Sequence, residues 1–157
     1  MPHIKKTHRL AQITIAIACM IAPAASFADC QSAKPATTAD IAAGQAKTLL
    51  ESMISACKAQ DPTAFFSLQT EGANKLLATT STTDKEKLFG QYCAFTTEAV
   101  NQLGGNIETA VHSIGPYKNG MKCGIPSSYW FVHNKSGKLA LRLEIAVESG
   151  QLKIDTH

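Results

Sequence analysis

Few side chains in this sequence have the chemistry of a catalytic acid or base. His133 closes an aromatic and β-branched run that predicts a strand, and it shares alternate-residue parity with Tyr129 and Phe131. His112 shares parity with Ile114 in another segment with strand-like spacing. Either imidazole could act as a general base or hold a ligand if it lined a pocket. The alternative for both is a histidine that is hydrogen-bonded within the fold or that lies at a strand end.

The spacing of the histidines and glycines predicts no metal site and no cofactor. His112, His133 and His157 have no second ligand two or four residues further along the chain. The segment Gly124–Ser128 lacks the G-x-S-x-G frame of a serine nucleophile. Gly104–Asn106 is too short for a phosphate cradle and follows a helical pattern instead of a strand.

The first 28 residues have the three parts of a secretory signal peptide. Residues 5–9 carry positive charge, and Leu10–Ile21 is uncharged and mostly apolar. Ser26 and Ala28 are the small residues that signal peptidase requires. The apolar run is well short of the ~20 residues that span a bilayer. We predict cleavage after Ala28 and a periplasmic or secreted protein without stable membrane insertion; the alternatives are a transmembrane anchor or a lipoprotein modified at Cys19.

The charge balance argues against nucleic acid as a partner. The 157 residues include 15 Lys and Arg against 12 Asp and Glu, a formal charge of +3. Removal of residues 1–28 would leave 129 residues without Lys5, Lys6 and Arg9, so that 12 basic residues would face 12 acidic ones. A neutral chain of this length with no basic run is typical of one domain that binds neither nucleic acid nor an anionic membrane.

Four of the five cysteines would remain in the mature chain, and an even number in an exported protein indicates two disulfides. Cys57 and Cys93 fall on the apolar faces of two predicted helices, so we expect these two to pair in the core. Cys30 would then pair with Cys123 and tie down the N-terminal tail. Two other pairings are open, and free buried thiols are a further alternative.

Helical patterns fill the first half of the mature chain. Residues 39–59 repeat apolar side chains every three to four positions, which predicts one long amphipathic helix. Asp61-Pro62 supplies an N-cap and a first-turn proline for a short second helix, and residues 73–77 could add another helical turn after Gly72. Thr83 and Glu86 have capping-box spacing before a third helix, which Gly104-Gly105 ends.

Apolar spacing changes from helical to alternating after Gly105. Four segments are predicted strands: 107–114, 129–133, 139–148 and 152–154. Helices followed by strands indicate an α+β fold, with three N-terminal helices packed on one face of a curved antiparallel sheet of about four strands. We therefore divide the chain into a cleavable signal peptide (1–28), a flexible N-terminal tail (29–38) and a single α+β domain (39–157).

Three features of the mature chain point to a family of folds. They are the long first helix, the link Lys58–Phe66 into a short second helix, and the closing hairpin Leu143–Asp155 with its Ser149-Gly150 turn. Together they resemble the NTF2-like (cystatin-like, cone-shaped α+β) superfamily over residues 39–157. The fullest form of that fold has a β-hairpin between the second and third helices, where this chain has the Ser/Thr-rich stretch 78–83. The superfamily includes isomerases, cyclases, dehydratases and many non-catalytic binding domains, so the resemblance implies no single function.

We expect a non-enzymatic interaction module of the cell envelope, such as a secretion-system accessory or a toxin-immunity protein. It would bind a protein partner or a small apolar ligand through the curved sheet and the 115–128 loop, with Tyr129, Trp130 and Phe131 in contact. Trp130 is either a core residue or, if it is exposed beside Val132, a partner-binding anchor. A homodimer through the sheet is a further alternative.

The competing hypothesis is an NTF2-like small-molecule isomerase or lyase that uses His133 or His112 with Tyr129. Members of the superfamily that resemble ketosteroid isomerase use carboxylates on the concave side of the sheet. Here the predicted buried side of residues 139–147 offers none, and the spacing of Asp155 predicts an exposed side chain. The sequence therefore favours the binding module.

Overall fold

The computed structural model describes residues 33–122 and 125–155, and between residues 116 and 127 it describes the backbone only. Five α-helices and five β-strands occur in these residues, so the predicted α+β class is confirmed. The predicted signal peptide, the C-terminal histidine, Cys30 and Cys123 lie outside the described residues.

Helices precede strands along the described chain, with the exception of one short strand at its start. The elements are β1 (Ala33–Pro35), α1 (Thr38–Ala42), α2 (Gln45–Lys58), α3 (Pro62–Phe66), α4 (Glu71–Ala78), α5 (Thr82–Gln102), a 3₁₀ turn (Ile107–Thr109), β2 (Val111–Lys122), β3 (Ile125–His133), β4 (Leu139–Glu148) and β5 (Gln151–Ile154). None of the helices in the described ranges is long and apolar enough to cross a membrane.

The first predicted helix is in fact two helices, α1 and α2. Gly44, which precedes α2, has a φ of 80°. This left-handed conformation favours glycine and cannot continue an α-helix, so the predicted single helix over 39–59 is wrong at this point. The apolar repeat continues through α2, where Ala46, Leu50 and Met53 are fully buried.

Side-chain caps explain where the next three helices begin. Asp61 accepts the Ala64 N–H at 2.9 Å and starts α3, as its spacing predicts. Thr70 caps α4, a helix of eight residues where the sequence pattern predicts at most one further helical turn over 73–77. Ser81 accepts the Asp84 N–H at 3.1 Å, so α5 begins just before the predicted capping box. The described residues thus contain five helices where three were predicted.

The strand β4 lies at the centre of the antiparallel sheet. Ile145 pairs with Ser128 of β3 on one edge and with Ile154 of β5 on the other. β2 pairs with the far edge of β3, and β1 pairs with the end of β4 on the same edge as β3. The Ser128 hydroxyl donates to the Ala36 carbonyl oxygen at 3.0 Å, which holds the chain after β1 against the sheet. The sheet therefore has five strands where about four were predicted.

Two strand predictions need correction. Residues 33–35 lie within the predicted flexible tail, yet they form β1 against the last residues of β4. Pro35 is tolerated there because β1 is a short edge strand. The predicted strand 107–114 begins with a 3₁₀ turn, and extended structure starts only at Val111 and continues to Lys122. Most of the predicted 115–128 loop therefore belongs to β2 and β3.

The helices cover one face of the sheet. Trp130 and Val132 of β3 and Leu141, Leu143 and Ile145 of β4 are buried in one apolar cluster with side chains of α2 and α5. Because alternate residues of a strand point to opposite faces, the residues between these five lie on the other side of the sheet.

A disulfide joins the two longest helices beneath this cluster. Cys57 of α2 and Cys93 of α5 are bonded, with their Cα atoms 5.3 Å apart, so the predicted pairing of these two cysteines is confirmed. The pairing of Cys30 with Cys123 stays a prediction.

Candidate functional site

The side of the sheet away from the helices carries a row of aromatic side chains. Tyr129, Phe131 and His133 alternate along β3 with the buried Trp130 and Val132, and each of the three is half-buried. They therefore project from the face opposite the core.

Neighbouring strands extend this row into a small platform. The β2–β3 and β3–β4 registers place one residue of β2 and one of β4 beside each aromatic residue. We call these nine residues the outer face: Val111–His133–Leu139, Ser113–Phe131–Arg142 and Gly115–Tyr129–Glu144.

The aromatic rings of the outer face lie close enough to form one surface. The Phe131 ring centroid is 6.0 Å from that of Tyr129 and 6.3 Å from that of His133. The guanidinium carbon of Arg142 lies 5.2 Å from the Tyr129 ring centroid, within the range of a cation–π contact. A Cβ atom at Gly115 would lie 3.0 Å from Phe131 Cε2, so the glycine gives this ring room to lean over β2.

Apolar and charged groups border this aromatic row. Val111 is 54% exposed and Leu139 is 44% exposed, on either side of His133. Within the described ranges, Arg142 has no carboxylate partner and Glu144 has no cationic partner. The outer face thus combines apolar surface with two charges of opposite sign that the described chain leaves unneutralised.

His112 belongs to the opposite, helix-covered side of the sheet. The Trp130 Nε1–H donates to His112 Nδ1 at 3.1 Å, and the two rings are stacked with centroids 5.6 Å apart. An acceptor at Nδ1 requires a neutral imidazole with its proton on Nε2. Burial lowers the pKa of His112, which also favours the neutral form.

The candidate acid–base residues do not converge. His112 lies on one face of the sheet and Tyr129 lies on the other. His133 shares a face with Tyr129, but the two are four residues apart on one strand, or ~13 Å, with Phe131 between them. A general base must come within hydrogen-bonding distance of its partner, and neither pair does so.

Trp130 is a core residue. Its relative exposure is 0%, so the indole cannot serve as a surface anchor for a partner. Of the three predicted contact residues, Tyr129 and Phe131 reach the outer face and Trp130 does not.

Asp155 is buried, in contrast to its predicted exposure. It is 3% exposed, and its Oδ1 accepts a hydrogen bond of 2.6 Å from the Thr70 hydroxyl at the start of α4. Its backbone N–H donates to the Glu144 carbonyl oxygen at 2.9 Å. No sequence signal could have shown this contact, because Thr70 is 85 residues away along the chain.

Comparison with protein-family models, curated proteins and solved structures finds no match for this chain. Among the described residues, no group of histidine, cysteine and carboxylate side chains could hold a metal ion.

A cavity lies between α2 and α5, beside the disulfide. It has a volume of about 530 Å³, and its walls include Ile54, Val100 and both disulfide cysteines, with Lys58 at its border. The walls are mainly apolar, which suits a small apolar molecule.

Proposed function

We propose that this chain is an exported, non-enzymatic interaction module of the cell envelope that binds a protein partner through the outer face. The observation that supports this function is the aromatic row Tyr129–Phe131–His133 on the side of the sheet that the helices leave uncovered. Aromatic residues and arginine are the side chains most enriched at the centres of protein interfaces.

The charges of the outer face specify what such a partner would present. Arg142 would face a carboxylate and Glu144 would face a cation, with apolar side chains over Phe131. Complementary charges fix the register of an interface and raise its association rate. A second copy of this chain is an alternative occupant, because the face carries both signs of charge.

Export is supported by the sequence and by the chemistry of the cysteines. Residues 1–28 have the charge, apolar run and small residues of a signal peptide. The bond between Cys57 and Cys93 is typical of the oxidising periplasm or extracellular space.

We also propose that the domain is a member of the NTF2-like superfamily. Helices on one face of an antiparallel sheet support this assignment, as does the closing hairpin of β4 and β5. Ser149 and Gly150 turn this hairpin with φ angles of 53° and 76°. The members of the superfamily differ widely in function, so the assignment concerns the fold alone.

Export and the second disulfide predict the composition of the mature protein. We expect the protein isolated from the periplasm or the medium to begin at Asp29 and to contain no free thiol. The hydrogen bond between Ser128 and Ala36 joins chain segments five residues after Cys123 and six after Cys30, which leaves both cysteines enough chain to meet. Mass spectrometry of the non-reduced, alkylated protein and its peptides measures the N-terminal residue and the number of free thiols. Retention of residues 1–28, or the presence of two alkylated cysteines, would contradict the prediction.

If the partner binds the outer face, its capture should depend on Phe131, which lies at the centre of that face. Affinity capture from native envelope extract, followed by quantitative mass spectrometry, should recover a stoichiometric partner with the unaltered chain. Phe131→Ser should lower the recovered partner by at least about tenfold, because a central aromatic contact is worth roughly 2 kcal/mol or more.

The matched control for this capture is Phe95→Ser. Phe95 is 61% exposed on α5, away from the outer face, so this variant removes an exposed phenylalanine without altering the site. Circular dichroism should show that both variants are folded. Equal recovery with Phe131→Ser and the unaltered chain would refute binding through the outer face.

The cavity between α2 and α5 supports a second candidate function, the binding of a small apolar ligand. A metabolite that copurifies with the chain, in the absence of a protein partner, would favour it. The isomerase or lyase hypothesis has less support, because His112 lies on the face opposite Tyr129 and Phe131 separates His133 from Tyr129.

A further inference from the structure

We propose that the Cys57–Cys93 disulfide is a site of thiol–disulfide exchange, open to low-molecular-weight thiols through the cavity between α2 and α5. This inference goes beyond the proposed binding function and involves a different part of the molecule.

The Cys57–Cys93 bond is accessible from the cavity between α2 and α5. Both cysteines belong to the cavity wall, and the cavity volume is about 530 Å³. A water molecule takes up ~30 Å³ in the liquid, so a thiol of several heavy atoms fits in this space. Cys93 is half-buried and Cys57 is 8% exposed, so Cys93 is the more exposed residue of the pair and the one that we expect an entering thiolate to attack.

The cavity lining includes charged side chains that an incoming thiolate would meet. The attacking species in exchange is a thiolate anion. Lys58 is at the cavity border next to Cys57, and no carboxylate pairs with it in the part of the chain that the structure describes. Glu98 also lies at the border, where its carboxylate accepts a hydrogen bond of 2.9 Å from Gln102 Nε2. Lys58 therefore offers the incoming anion a cation next to Cys57, and Glu98 places one carboxylate in the same cavity lining.

The exchange step conserves the number of disulfides. The sulfur of the small thiolate attacks Cys93 Sγ, a new sulfur–sulfur bond forms, and the bond to Cys57 breaks. The electron pair of the broken bond leaves with Cys57 Sγ as a thiolate, which takes up a proton from solvent. In the reverse step the Cys57 thiolate attacks Cys93 Sγ and expels the small thiolate.

Exchange would remove the covalent connection between α2 and α5 while the chain is folded. The bond joins the last turn of α2 to the middle of α5, and the same helices cover the core face of the sheet. Such a bond can respond to the thiol content of its surroundings in a way that a fully enclosed disulfide cannot.

The proposal is tested by measuring how the rate of opening of the Cys57–Cys93 bond depends on the concentrations of thiol and urea. The mature, folded protein is incubated with increasing 2-mercaptoethanol, quenched with acid, alkylated and mapped by peptide mass spectrometry. We expect the opening rate to rise linearly with thiol, to be unaffected by low urea and to give the mixed disulfide mainly on Cys93. A rate that levels off at the rate of unfolding, or that rises with urea as unfolding does, would overturn the proposal.

A pair of tryptophan variants on α5 distinguishes entry through the cavity from other routes. Thr97 belongs to the cavity wall, so Thr97→Trp should fill part of the space and slow exchange by about tenfold. Phe95→Trp places the same indole on an exposed position of the same helix outside the wall and should leave the rate unchanged. Thermal melts of the two oxidised variants check folding, and Ala94→Trp replaces Thr97→Trp if the latter unfolds. Equal exchange rates in the filled variant and the Phe95→Trp control would exclude the cavity as the route.

Discussion

Replacing both Cys57 and Cys93 by alanine should lower the free energy of unfolding by about 4 kcal/mol. The two residues are 36 positions apart in sequence, so the bond removes the freedom of a long loop from the unfolded chain. The disulfide also holds α2 and α5 together beside a cavity. Because fewer apolar side chains pack between the helices there, fewer contacts would hold them together once the bond is removed. Urea denaturation followed by circular dichroism measures the difference.

The control for this prediction separates the bond from the side-chain volume. In a chain with Cys30→Ala and Cys123→Ala, Cys57–Cys93 is the remaining disulfide, so oxidised and reduced forms differ in that bond alone. The reduced form should also depend more steeply on urea, because its unfolded chain exposes more surface. Coincident unfolding curves for the two forms would contradict the prediction.

Local sequence patterns predicted the parts of the fold that depend on near neighbours. Asp61 and Pro62 start α3, and β4 has the predicted bounds 139–148. The predicted alternation of burial holds from Leu141 to Ile145 and is wrong at Leu139, which is 44% exposed beyond the irregularity in the β3–β4 register. The apolar repeats also placed Cys57 and Cys93 on helix faces that meet. In each case the information lies within one or two turns of helix or one strand.

The helical errors arose where local chemistry permits more than one structure. Gly44 has ordinary neighbours in an amphipathic repeat, and only its φ of 80° separates α1 from α2. The start of α4 depends on Thr70, whose hydroxyl both caps the helix and donates to the buried Asp155. A cap that is stabilised by a distant carboxylate cannot be recognised from local sequence.

Long-range pairing explains the errors in the strands. Ala33–Pro35 becomes a strand because the end of β4 offers an unpaired edge, more than 100 residues further along the chain. Asp155 follows the last paired residue of β5 and turns toward α4. Both outcomes depend on which segments meet, and alternation within a segment carries no such information.

Sequence spacing predicted which residues of the candidate site share a face of the sheet, but not which face the helices cover. Period-two spacing shows that Tyr129, Phe131 and His133 share a face and that Trp130 lies on the other. It does not show which of these faces the helices cover. Trp130 is fully buried against the helices, so the aromatic row lies on the face that the described helices do not cover.

Trp130→Ala should lower the free energy of unfolding by about 3–5 kcal/mol. The indole is fully buried among the apolar residues between the sheet and the helices, so alanine would leave a large cavity. Trp130→Phe is the control, because it keeps most of the apolar volume and removes the N–H that donates to His112. It should cost less, about 1–3 kcal/mol for the unsatisfied acceptor and lost contacts. Equal unfolding free energies for the alanine variant and the unaltered chain would contradict the assignment of Trp130 to the core.

The hydrogen bond between Trp130 and His112 makes the free energy of unfolding depend on pH, because it requires a neutral His112. Burial lowers the pKa of His112 in the folded chain, whereas the unfolded histidine has a pKa of about 6.5. Between these two values the unfolded chain binds more protons, so stability is full above about pH 6.5 and falls as the pH drops toward the folded pKa. His112→Asn keeps an oxygen acceptor for the Trp130 N–H and does not titrate, so it should lose less stability than the unaltered chain between about pH 7.5 and about pH 5.5. If urea midpoints of the two proteins fall equally over this interval, the acid sensitivity of the fold originates at other carboxylates or histidines.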